Sequence, residues 1–565
     1  MTSDLAALPP GLILIVGALL VPLVRGAARH ALVLGLPLAA LAHIWWLPAD
    51  AVATLSFLGY ELEPLRMTAI GRLFATIFAV MAFAGGLFAL LQARTVELAA
   101  ALAYAGAAIG VALAGDLITV FICWELMALG SALVIWSAAT PAAYRASMRY
   151  LLIHLLGGVV LMLGIVGHVM ETGSVAFEAM RADGPAHWLI LAGFLLNAGA
   201  PPLSAWIPDA YPEGSPSGTV FLSAFTTKTA VYVLWVGFAG TQALVWVGLY
   251  MIFYGIIYAL LENDMRRILA YSIVNQVGFM VAGIGIGTEM ALNGAAAHAF
   301  THIIYKALLL MSAGAVLYQT GRRKCSDLGG LFQSMPVTTV CGIVGALAIS
   351  SFPLTSGFVS KSMISQAAAD QQLALVWFLL AAASAGVFLH AGIKFPWFVF
   401  FQKDSGLRPA DPPRNMQLAM ILFAALCIGL GAYPAPLYAI LPYPVEYVPY
   451  TLDHVVFQLQ LLLFAGLAFF VMLPALARTL TISLDVDWIY RRALPLAWRR
   501  LVEPPLAALK RLERGLLEFW PGLIGAWIGR GGPFGLLGRQ WSIGAVVTWV
   551  ALLLLGYLVI DLLLT

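Results

Sequence analysis

NGAAAHAFTHIIYKALLLMSAG, residues 293–314, places three ionisable side chains in an otherwise apolar run. If the run is helical, His298, His302 and Lys306 follow one another at four-residue intervals and stack along one face, about 6 Å apart along the axis. Their neighbours are apolar enough to lie in hydrocarbon, where an ionisable group is costly and usually faces a protein interior or a water-filled path. This histidine–lysine ladder (His298, His302 and Lys306) is therefore the first candidate for a functional site.

The composition of the chain is typical of an integral membrane protein. Of its 565 residues, 62% are hydrophobic and only 10% are charged, which excludes the ordinary soluble globular class. The formal net charge of +3, without a long basic run, argues against nucleic acid as a partner. The four cysteines are scattered without a CxxC pair, which predicts isolated thiols. Because a cysteine cluster and a nucleotide-binding loop are both absent from the sequence, we expect no cofactor and no redox chemistry.

The apolar runs predict many membrane-spanning helices, each of which needs about 20 residues. Such runs lie near 9–25, 29–46, 71–92, 97–114, 116–137, 147–170, 187–209, 218–240, 243–262, 267–287, 291–318, 336–367, 373–401, 415–432, 457–477 and 541–563. The first lacks a preceding basic segment and a clear cleavage site, so we interpret it as a retained span. The sequence thus predicts an all-α polytopic membrane protein with about 14–16 transmembrane helices.

Basic residues alternate between the connections of this segmentation. Odd-numbered connections carry Arg25, Arg29, Arg94, Arg145, Arg149, Arg266, Arg267, Arg322, Arg323, Lys324, Lys403, Arg408 and Arg414. Even-numbered connections carry only Arg66, Arg72 and Arg181. Because lysine and arginine gather on the cytoplasmic side, we expect a multi-pass protein of a prokaryotic inner (plasma) membrane with both termini on the non-cytoplasmic side.

Residues 481–540 have a different composition from the spans. Arginines and a lysine alternate there with tryptophan, leucine and phenylalanine, which predicts an amphipathic segment on the cytoplasmic membrane surface. Pro495, Pro504, Pro505 and Pro521 are expected to break it into pieces. The segment is either a strap against partner subunits or a simple interfacial helix before the last span.

Most of the lysines lie in apolar runs, where a charged side chain is costly. Four of the seven lysines fall in apolar runs, namely Lys228, Lys306, Lys361 and Lys394. Lys394 is near a span end and could extend to the interface; it and His390 are further candidates for a pathway or gate. For Lys228 and Lys306 the alternatives are an ion pair that stabilises the fold and a proton or ion pathway.

Glu125, in FICWELMALG, is the one carboxylate deep inside a predicted span. A buried carboxylate needs a partner, and Lys228 is the natural candidate. An ion pair of this kind can exchange protons when water or a neighbouring charge changes.

Proline and glycine interrupt two spans. Pro201 and Pro202 begin the first interruption, and Pro353 and Gly357 mark the second. Non-helical backbone at membrane depth is tolerated only where protein or water satisfies it. The interruptions lie five spans apart, which predicts two inverted five-helix repeats and sites of ion passage. Lys361 follows the second interruption.

Five ordered pieces of the central chain carry a resemblance to a known family. They are FICWELMALG, PPLSAWIPDAYPEGSPSGTVFLSAFTTKTAVYVL, ENDMRRILAYSIVNQVGFM, HAFTHIIYKALLLMSAG and FPLTSGFVSKSMI. With them the chain resembles the antiporter-like subunits shared by Mrp-type cation/proton antiporters, respiratory complex I and membrane-bound hydrogenases. PYPVEYVPYTLDHVVFQLQLLLFA and LDVDWIYRR are similar to the D subunit of Mrp antiporters. The amphipathic segment and last span look instead like the lateral helix and anchor of the longest complex I antiporter-like subunit.

The resemblance implies two half-channels joined by a hydrated polar axis at mid-membrane. It assigns Glu125 to the acidic end of the first half-channel, Lys228 to its bridge, the ladder to the connection, and Lys361 to the end of the second. Asn197 departs from the family, which usually has a lysine there, paired with the glutamate. An amide cannot carry a titrating proton, although it can hydrogen-bond water or a cation.

These features divide the chain into six predicted parts. They are N-terminal transmembrane helices (1–96), a first half-channel (97–240), a second half-channel (241–402), C-terminal transmembrane helices (403–480), the amphipathic segment (481–540) and an anchor helix (541–565).

The leading hypothesis is a proton-translocating subunit of a multisubunit Mrp-type Na⁺/H⁺ antiporter, which makes the chain part of a transporter and not an enzyme. Its expected partners are other membrane subunits, the lipid bilayer, protons and Na⁺. The first alternative is a proton-pumping membrane subunit of a complex I-like or hydrogenase complex. The second is a partner-gated or scaffold subunit of an ion-driven uptake complex, such as one for inorganic carbon, in which Asn197 marks lost conduction.

A metal site is a further alternative for His298 and His302, because histidines at i and i+4 can bind Zn²⁺. Cys, Asp or Glu ligands do not lie nearby in the sequence, and Lys306 would repel a cation, so we predict no metal. A packed, hydrogen-bonded histidine pair is the remaining structural alternative.

Overall fold

The computed structural model describes residues 8–57, 59–475, 485–531 and 542–564, and these are almost entirely helical. Among them, 13 helices are long and apolar enough to cross a bilayer. Three shorter apolar helices, Pro10–Leu23, Pro185–Ala198 and Pro336–Ile349, accompany these. The predicted all-α polytopic fold is confirmed.

The helices begin and end close to the predicted spans. In chain order they are α1 Pro10–Leu20, α2 Gly26–Trp46, α3 Ala69–Ala89, α4 Thr95–Leu113, α5 Leu117–Trp136, α6 Pro141–Thr172, α7 Pro185–Ala198, α8 Trp206–Ala210, α9 Gly218–Leu222, α10 Thr226–Phe238, α11 Ala243–Leu261, α12 Met265–Ile286, α13 Glu289–Thr320, α14 Pro336–Ile349, α15 Phe358–Asp370, α16 Ala374–Val387, α17 Arg414–Ala432, α18 Ala435–Tyr438 and α19 Leu452–Val471. Single 3-10 turns are Val21–Leu23, Tyr211–Glu213, Cys325–Asp327 and Leu331–Gln333, and π-helical turns Phe388–Lys394 and Trp397–Phe401 continue α16.

A β-hairpin between α2 and α3 was not expected from the sequence. Strands β1 (Val52–Phe57) and β2 (Tyr60–Arg66) pair antiparallel. They are shorter than a membrane span, so a search for long apolar runs passes over them. The backbone N–H of Glu63 in β2 donates to Asp116 Oδ2 at 2.7 Å, which ties the hairpin to the start of α5.

Connections of the same parity meet, as the predicted alternation requires. Arginines from odd-numbered connections donate hydrogen bonds to one stretch, residues 209–217, which begins at the end of α8. The pairs are Arg149 with Asp209 at 2.8 Å, Arg266 with the carbonyls of Pro212 and Gly214 at 2.8 and 2.9 Å, and Arg323 with Glu213 at 3.0 Å. Backbone bonds join even-numbered connections, from Leu117 to Val175 at 2.8 Å and from Met180 to Gly237 at 2.7 Å. Which of the two faces is cytoplasmic stays a prediction.

The first predicted interruption lies between α7 and α8. Gly199 ends α7 with a φ of +80°, a left-handed conformation that favours glycine. Trp206, the first residue of α8, donates its indole N–H to the carbonyl of Leu196 at 3.0 Å. The same carbonyl also accepts the backbone N–H of Gly199 at 3.1 Å, so the tryptophan adds a second hydrogen bond at the end of α7.

The second interruption, between α14 and α15, rests on α17. The backbone N–H of Ser356 donates to the carbonyl of Cys427 on α17 at 2.8 Å. One turn further along α17, a Cβ at Gly431 would lie 2.3 Å from Thr355 Cα. Such a close approach of two backbones requires glycine, so Gly431 helps to position the interruption.

Residues Trp488–Thr565 form a second compact unit, distinct from Met1–Asp487. Its described part contains one long helical run, made of a π-helical turn Ile489–Ala493, α20 Leu494–Ala497, a second π-helical turn Trp498–Val502 and α21 Glu503–Gly531, followed by α22 Ile543–Leu564. The prediction that prolines break this segment into pieces is wrong. Pro504 and Pro505 lie where the second π-helical turn passes into α21, and the backbone stays helical through them. Pro521 lies inside the exposed α21, where the freed carbonyl is open to solvent.

Gly431→Ala is expected to destabilise the protein, because the added methyl group would collide with the backbone of Thr355 and not with a movable side chain. We expect the free energy of unfolding to fall by about 1–3 kcal/mol. Gly429→Ala is the matched control, since nothing lies within 4 Å of a Cβ at that position of the same helix. Thermal unfolding of the purified, detergent-solubilised protein measures the difference. Equal midpoints for the two variants would contradict the packing described.

Candidate functional site

All three residues of the ladder are fully buried in the middle of α13. This 32-residue helix packs against α3, α12, α14, α15 and α17, so it lies at the centre of the first unit. Apart from the ladder and a few other polar residues, its side chains are small or apolar on every side, which permits burial all round. The ionisable groups therefore face protein, as an intramembrane functional site requires.

His298 is the best-connected residue of the ladder. Its Nε2 lies 3.1 Å from Gln276 Oε1 and 3.3 Å from the Tyr305 hydroxyl, which itself donates to Gln276 at 3.0 Å. Its Nδ1 lies 3.3 Å from Ser360 Oγ. Since Ser360 directly precedes Lys361, these hydrogen bonds join the ladder to α15.

His302 is buried without a hydrogen-bond partner for either ring nitrogen among the described residues. Its ring packs edge-on against Tyr305 at a centroid distance of 5.2 Å. It lies within electrostatic range of Lys228, Lys306 and His298. A buried polar group normally has a partner. Because both ring nitrogens of His302 lack one among the described residues, both are available to donate or accept a hydrogen bond.

The lysines of the site bind neutral oxygen atoms. Lys306 Nζ donates to Ser272 Oγ at 2.8 Å, and Lys228 Nζ donates to the carbonyl of Ser223 at 2.6 Å. Neither they nor Lys361 form an ion pair with a carboxylate in the described part of the chain. A structural ion pair therefore does not explain why these lysines are buried.

Lys361 lies between the protein interior and a cavity of about 720 Å³. Its Nζ is 3.5 Å from the carbonyl of Ile349 and 5.1 Å from the centre of the Phe279 ring. Polar and acidic side chains line the cavity, among them Asp370, Glu446, Asp453 and His454. The cavity is a route by which water and ions could reach Lys361.

Glu125 and Lys228, expected to be partners, do not form an ion pair in the structure. Glu125 Oε1 is buried without a hydrogen-bond partner among the described residues. The carboxylate lies against Gly158 of α6, where a Cβ would come within 1.9 Å of Oε1. The side-chain oxygen and nitrogen of Asn197 are also buried, with no hydrogen-bond partner in the part of the chain that the structure describes. The first half of the predicted pathway thus contains polar atoms that no described side chain satisfies.

Lys394 and His390, the two further candidates, lie in the π-helical turn after α16. Lys394 Nζ donates to the carbonyls of Ala259, Leu260 and Glu262 at 3.0, 2.5 and 2.6 Å. These carbonyls end α11, so the lysine caps that helix and its positive charge suits the helix dipole. His390 Nδ1 lies 2.8 Å from the carbonyl of Gly386, and its Nε2 has no described partner.

His154 is a buried ionisable residue beside the first interruption that was not among the residues predicted from the sequence. It is buried on α6, stacked on Tyr150 at 3.9 Å and edge-on to Trp206 at 4.6 Å, measured between ring centroids. The signal was an ionisable residue between Leu151 and Leu156 in an apolar run, the same signal that marks the ladder.

The described residues contain no group of three or more histidine, cysteine, aspartate or glutamate side chains arranged to hold a metal ion. His298 and His302 instead face Gln276, Ser360 and the lysines, a set that suits proton exchange better than metal ligation.

Residues 114–388 match a family model described as NADH:quinone oxidoreductase/Mrp antiporter, TM. Similar curated proteins include the A/B subunit of a probable K⁺/H⁺ antiporter of Rhizobium meliloti, 31% identical over 59% of this chain and 36% of its own length. The D subunit of the Na⁺/H⁺ antiporter of Alkalihalophilus pseudofirmus is 28% identical over 58% of this chain and 71% of its own. Hydrogenase-4 component B of Escherichia coli is 28% identical over 54% and 52%. The chain thus spans about a third of the first of these relatives and half of the third.

Two solved structures share the fold. A chain of the Mrp complex from Dietzia sp. DQ12-45-1b aligns with 83% of this chain and 99% of its own at 20% identity and a TM-score of 0.68. A chain of the membrane-bound sulfane sulfur reductase, an archaeal respiratory membrane complex, aligns with 98% of this chain and 99% of its own at 24% identity and a TM-score of 0.72. Residues 114–388, the part of the chain that matches the NADH:quinone oxidoreductase/Mrp antiporter transmembrane family, contain Glu125, Asn197, Lys228, the ladder and Lys361.

Proposed function

We propose that this protein is the proton-translocating subunit of a multisubunit Mrp-type Na⁺/H⁺ antiporter. The observation that carries the proposal is a line of buried titratable groups, Lys228, the ladder and Lys361, without a carboxylate partner in the described residues. An unpaired buried lysine is costly in its charged form and readily exchanges its proton. Groups of this kind inside a membrane protein mark ion and proton pathways.

The contacts suggest the order of proton movement. Lys228 lies within electrostatic range of Lys306 and His302, and Lys361 lies within range of His298. A proton arriving at Lys228 repels protons on the ladder and favours their transfer toward Lys361. The cavity that Lys361 lines then offers the proton a way out of the second half-channel. Glu125 supplies protons to the first half-channel, and Asn197, His390 and Lys394 are further candidates beside the pathway.

This chain offers few buried carboxylate ligands for the coupled cation. Na⁺ prefers several oxygen ligands, and Glu125 is the one carboxylate deep in a predicted span. We therefore place the Na⁺ path partly in other membrane subunits of the complex. The chain acts as part of a transporter and carries no redox chemistry of its own. It resides in a prokaryotic plasma membrane with its odd-numbered connections in the cytoplasm.

A proton-pumping subunit of a respiratory or hydrogenase complex is the second candidate function. Its support is the sulfane sulfur reductase structure, whose chain aligns with 98% of this one, against 83% for the Mrp chain. The two functions differ in their driving reaction. Proteoliposomes containing the intact purified complex should exchange Na⁺ for H⁺ without an electron donor in the first case, and should pump only during electron transfer in the second.

Lys306→Ala is expected to lower proton-coupled transport about tenfold or more, because alanine cannot accept the proton passed along the ladder. The measurement is the initial rate of Na⁺-induced pH change in everted vesicles containing the whole complex. Lys324→Ala, at an exposed lysine, is the matched control and should transport at the wild-type rate. If Lys228→Ala, Lys306→Ala and Lys361→Ala all retain coupled transport, the proposed pathway is wrong.

Asn197→Lys is expected to change the pH dependence of transport, because it places a titratable amine where both amide atoms are buried without a partner among the described residues. The readout is the transport rate of the assembled complex across a range of pH values. Asn197→Leu is the control, since leucine has a similar size but cannot titrate. An identical pH profile for Asn197→Lys and the wild type would place residue 197 outside the pathway.

A further inference from the structure

Three positions on α6 form a column at four-residue intervals, Tyr150, His154 and Gly158. Residues four apart lie above one another on a helix face. Glu125 of α5 lies against Gly158 at one end of the column. At the other end, the Tyr150 hydroxyl is 2.9 Å from Ser131 Oγ and 3.3 Å from Thr226 Oγ1. The column therefore spans the distance between Glu125 and the start of α10.

The His154 ring is oriented so that one nitrogen points away from its own helix. Nδ1 lies 2.9 Å from the carbonyl of Tyr150, and a carbonyl can only accept, so Nδ1 carries the hydrogen. The neutral ring then has a lone pair on Nε2, and this atom is buried with no hydrogen-bond partner among the described residues. Stacking on Tyr150 and the edge of Trp206 hold the ring in this orientation.

Two buried side-chain atoms along this column lack a described partner, and one can donate a hydrogen bond that the other can accept. Glu125 Oε1 and His154 Nε2 are both buried and both lack a described partner. A protonated carboxyl can donate to an imidazole lone pair, and an imidazolium can donate back to a carboxylate. Each group thus supplies what the other lacks.

The far end of the column leads to Lys228. Thr226, which contacts Tyr150, lies two residues before Lys228 in the first turn of α10. Thr226 Oγ1 also lies 2.5 Å from the Tyr104 hydroxyl. The hydroxyl groups of Tyr150 and Thr226 therefore connect the ring on which His154 stacks to α10, the helix that carries Lys228.

We infer that His154 carries the proton between Glu125 and Lys228 in the first half-channel, in place of the lysine that position 197 lacks. The inference rests on the proposed function and deepens it. In the forward step the O–H bond of Glu125 breaks as an N–H bond forms at His154 Nε2, which leaves a carboxylate and an imidazolium. The imidazolium then releases this proton to the neutral amine of Lys228, and the Nδ1–H bond to Tyr150 stays intact throughout.

Several titratable groups surround His154 and share its electrostatics. Glu125 of α5 lies against Gly158, one turn further along α6. Tyr150 stacks on the ring from its own helix, and Tyr211, whose ring is 5.5 Å from Trp206, lies in the turn after α8. Tyr104 of α4 approaches through Thr226. Tyrosines titrate well above neutral pH in water, so Glu125 and His154 are the two groups of this set that the inference assigns to proton exchange.

The test compares His154→Gln with the wild type in the whole complex in everted vesicles. Glutamine keeps a polar side chain but cannot carry the proton, so we expect the Na⁺-dependent proton flux to fall about tenfold or more. His168→Gln, the same change near the end of the same helix, is the control and should leave the flux unchanged. Wild-type flux and pH profile in His154→Gln would overturn the inference.

Rescue distinguishes proton carriage from packing. Asn197 follows Leu196, whose carbonyl binds the tryptophan that packs on His154. The double variant His154→Gln/Asn197→Lys should therefore recover flux, whereas a purely structural histidine would not be replaced by an amine. His154→Lys provides a second readout if the glutamine variant does not assemble. It should transport with a shifted pH profile, because lysine and histidine titrate in different ranges, and an unshifted profile would overturn the inference.

Lys306→Ala, measured in the same vesicles, separates the two levels of failure. If it stops transport while His154→Gln does not, the role of His154 is wrong and the proposed function stands. If neither variant affects transport, the role of His154 is wrong, and the proposed function is wrong as well if Lys228→Ala and Lys361→Ala also retain coupled transport.

Discussion

Buried ammonium groups without a negative partner are the constraint on which the centre of this protein depends. Moving a charged group out of water costs several kcal/mol even after the protein relaxes, and a nearby carboxylate usually offsets that cost. Lys228, Lys306 and Lys361 have no such carboxylate among the described residues. Neutral oxygens stabilise them only in part, so their charge responds to neighbouring protons. That sensitivity is what a proton pathway requires.

Breaks in the helices provide the oxygens. Lys228 Nζ binds the carbonyl of Ser223 between α9 and α10, Lys361 lies near the carbonyl of Ile349 at the end of α14, and Lys394 binds three carbonyls at the end of α11. The last carbonyls of a helix lack helical partners and carry partial negative charge, so they suit a cation. The helix ends thus supply carbonyl acceptors for Lys228 and Lys361, which have no carboxylate partner among the described residues. Lys306, on an unbroken helix, uses the Ser272 hydroxyl instead.

The two proposed half-channels differ in the residues that they place along the pathway. In the second, Lys361 lies at a polar cavity and connects through Ser360 to His298. In the first, Asn197 cannot titrate, and Glu125 lies against Gly158 with no direct contact to Lys228. His154, on the column of α6 that runs from Gly158 to Tyr150, is the residue that we propose to link them. Arg149, Arg266 and Arg323 meanwhile hold the loop after the first interruption by hydrogen bonds, so the non-helical part of the span is anchored at its far end.

The sequence predicts the all-α fold, the approximate bounds of the spans, both interruptions and the burial of the ladder, because these depend on local hydrophobicity, on proline and on helical periodicity. It predicts the grouping of the arginine-rich connections for the same reason, since span order alone sets their parity. Partners across the structure follow other rules. The separation of Glu125 from Lys228, the capping role of Lys394 and the placement of His154 between Tyr150 and Trp206 depend on how helices distant in sequence pack. The distance between side chains on two packed helices depends on the crossing angle and the rotation of the helices. The hydrophobic periodicity of a single helix does not determine either.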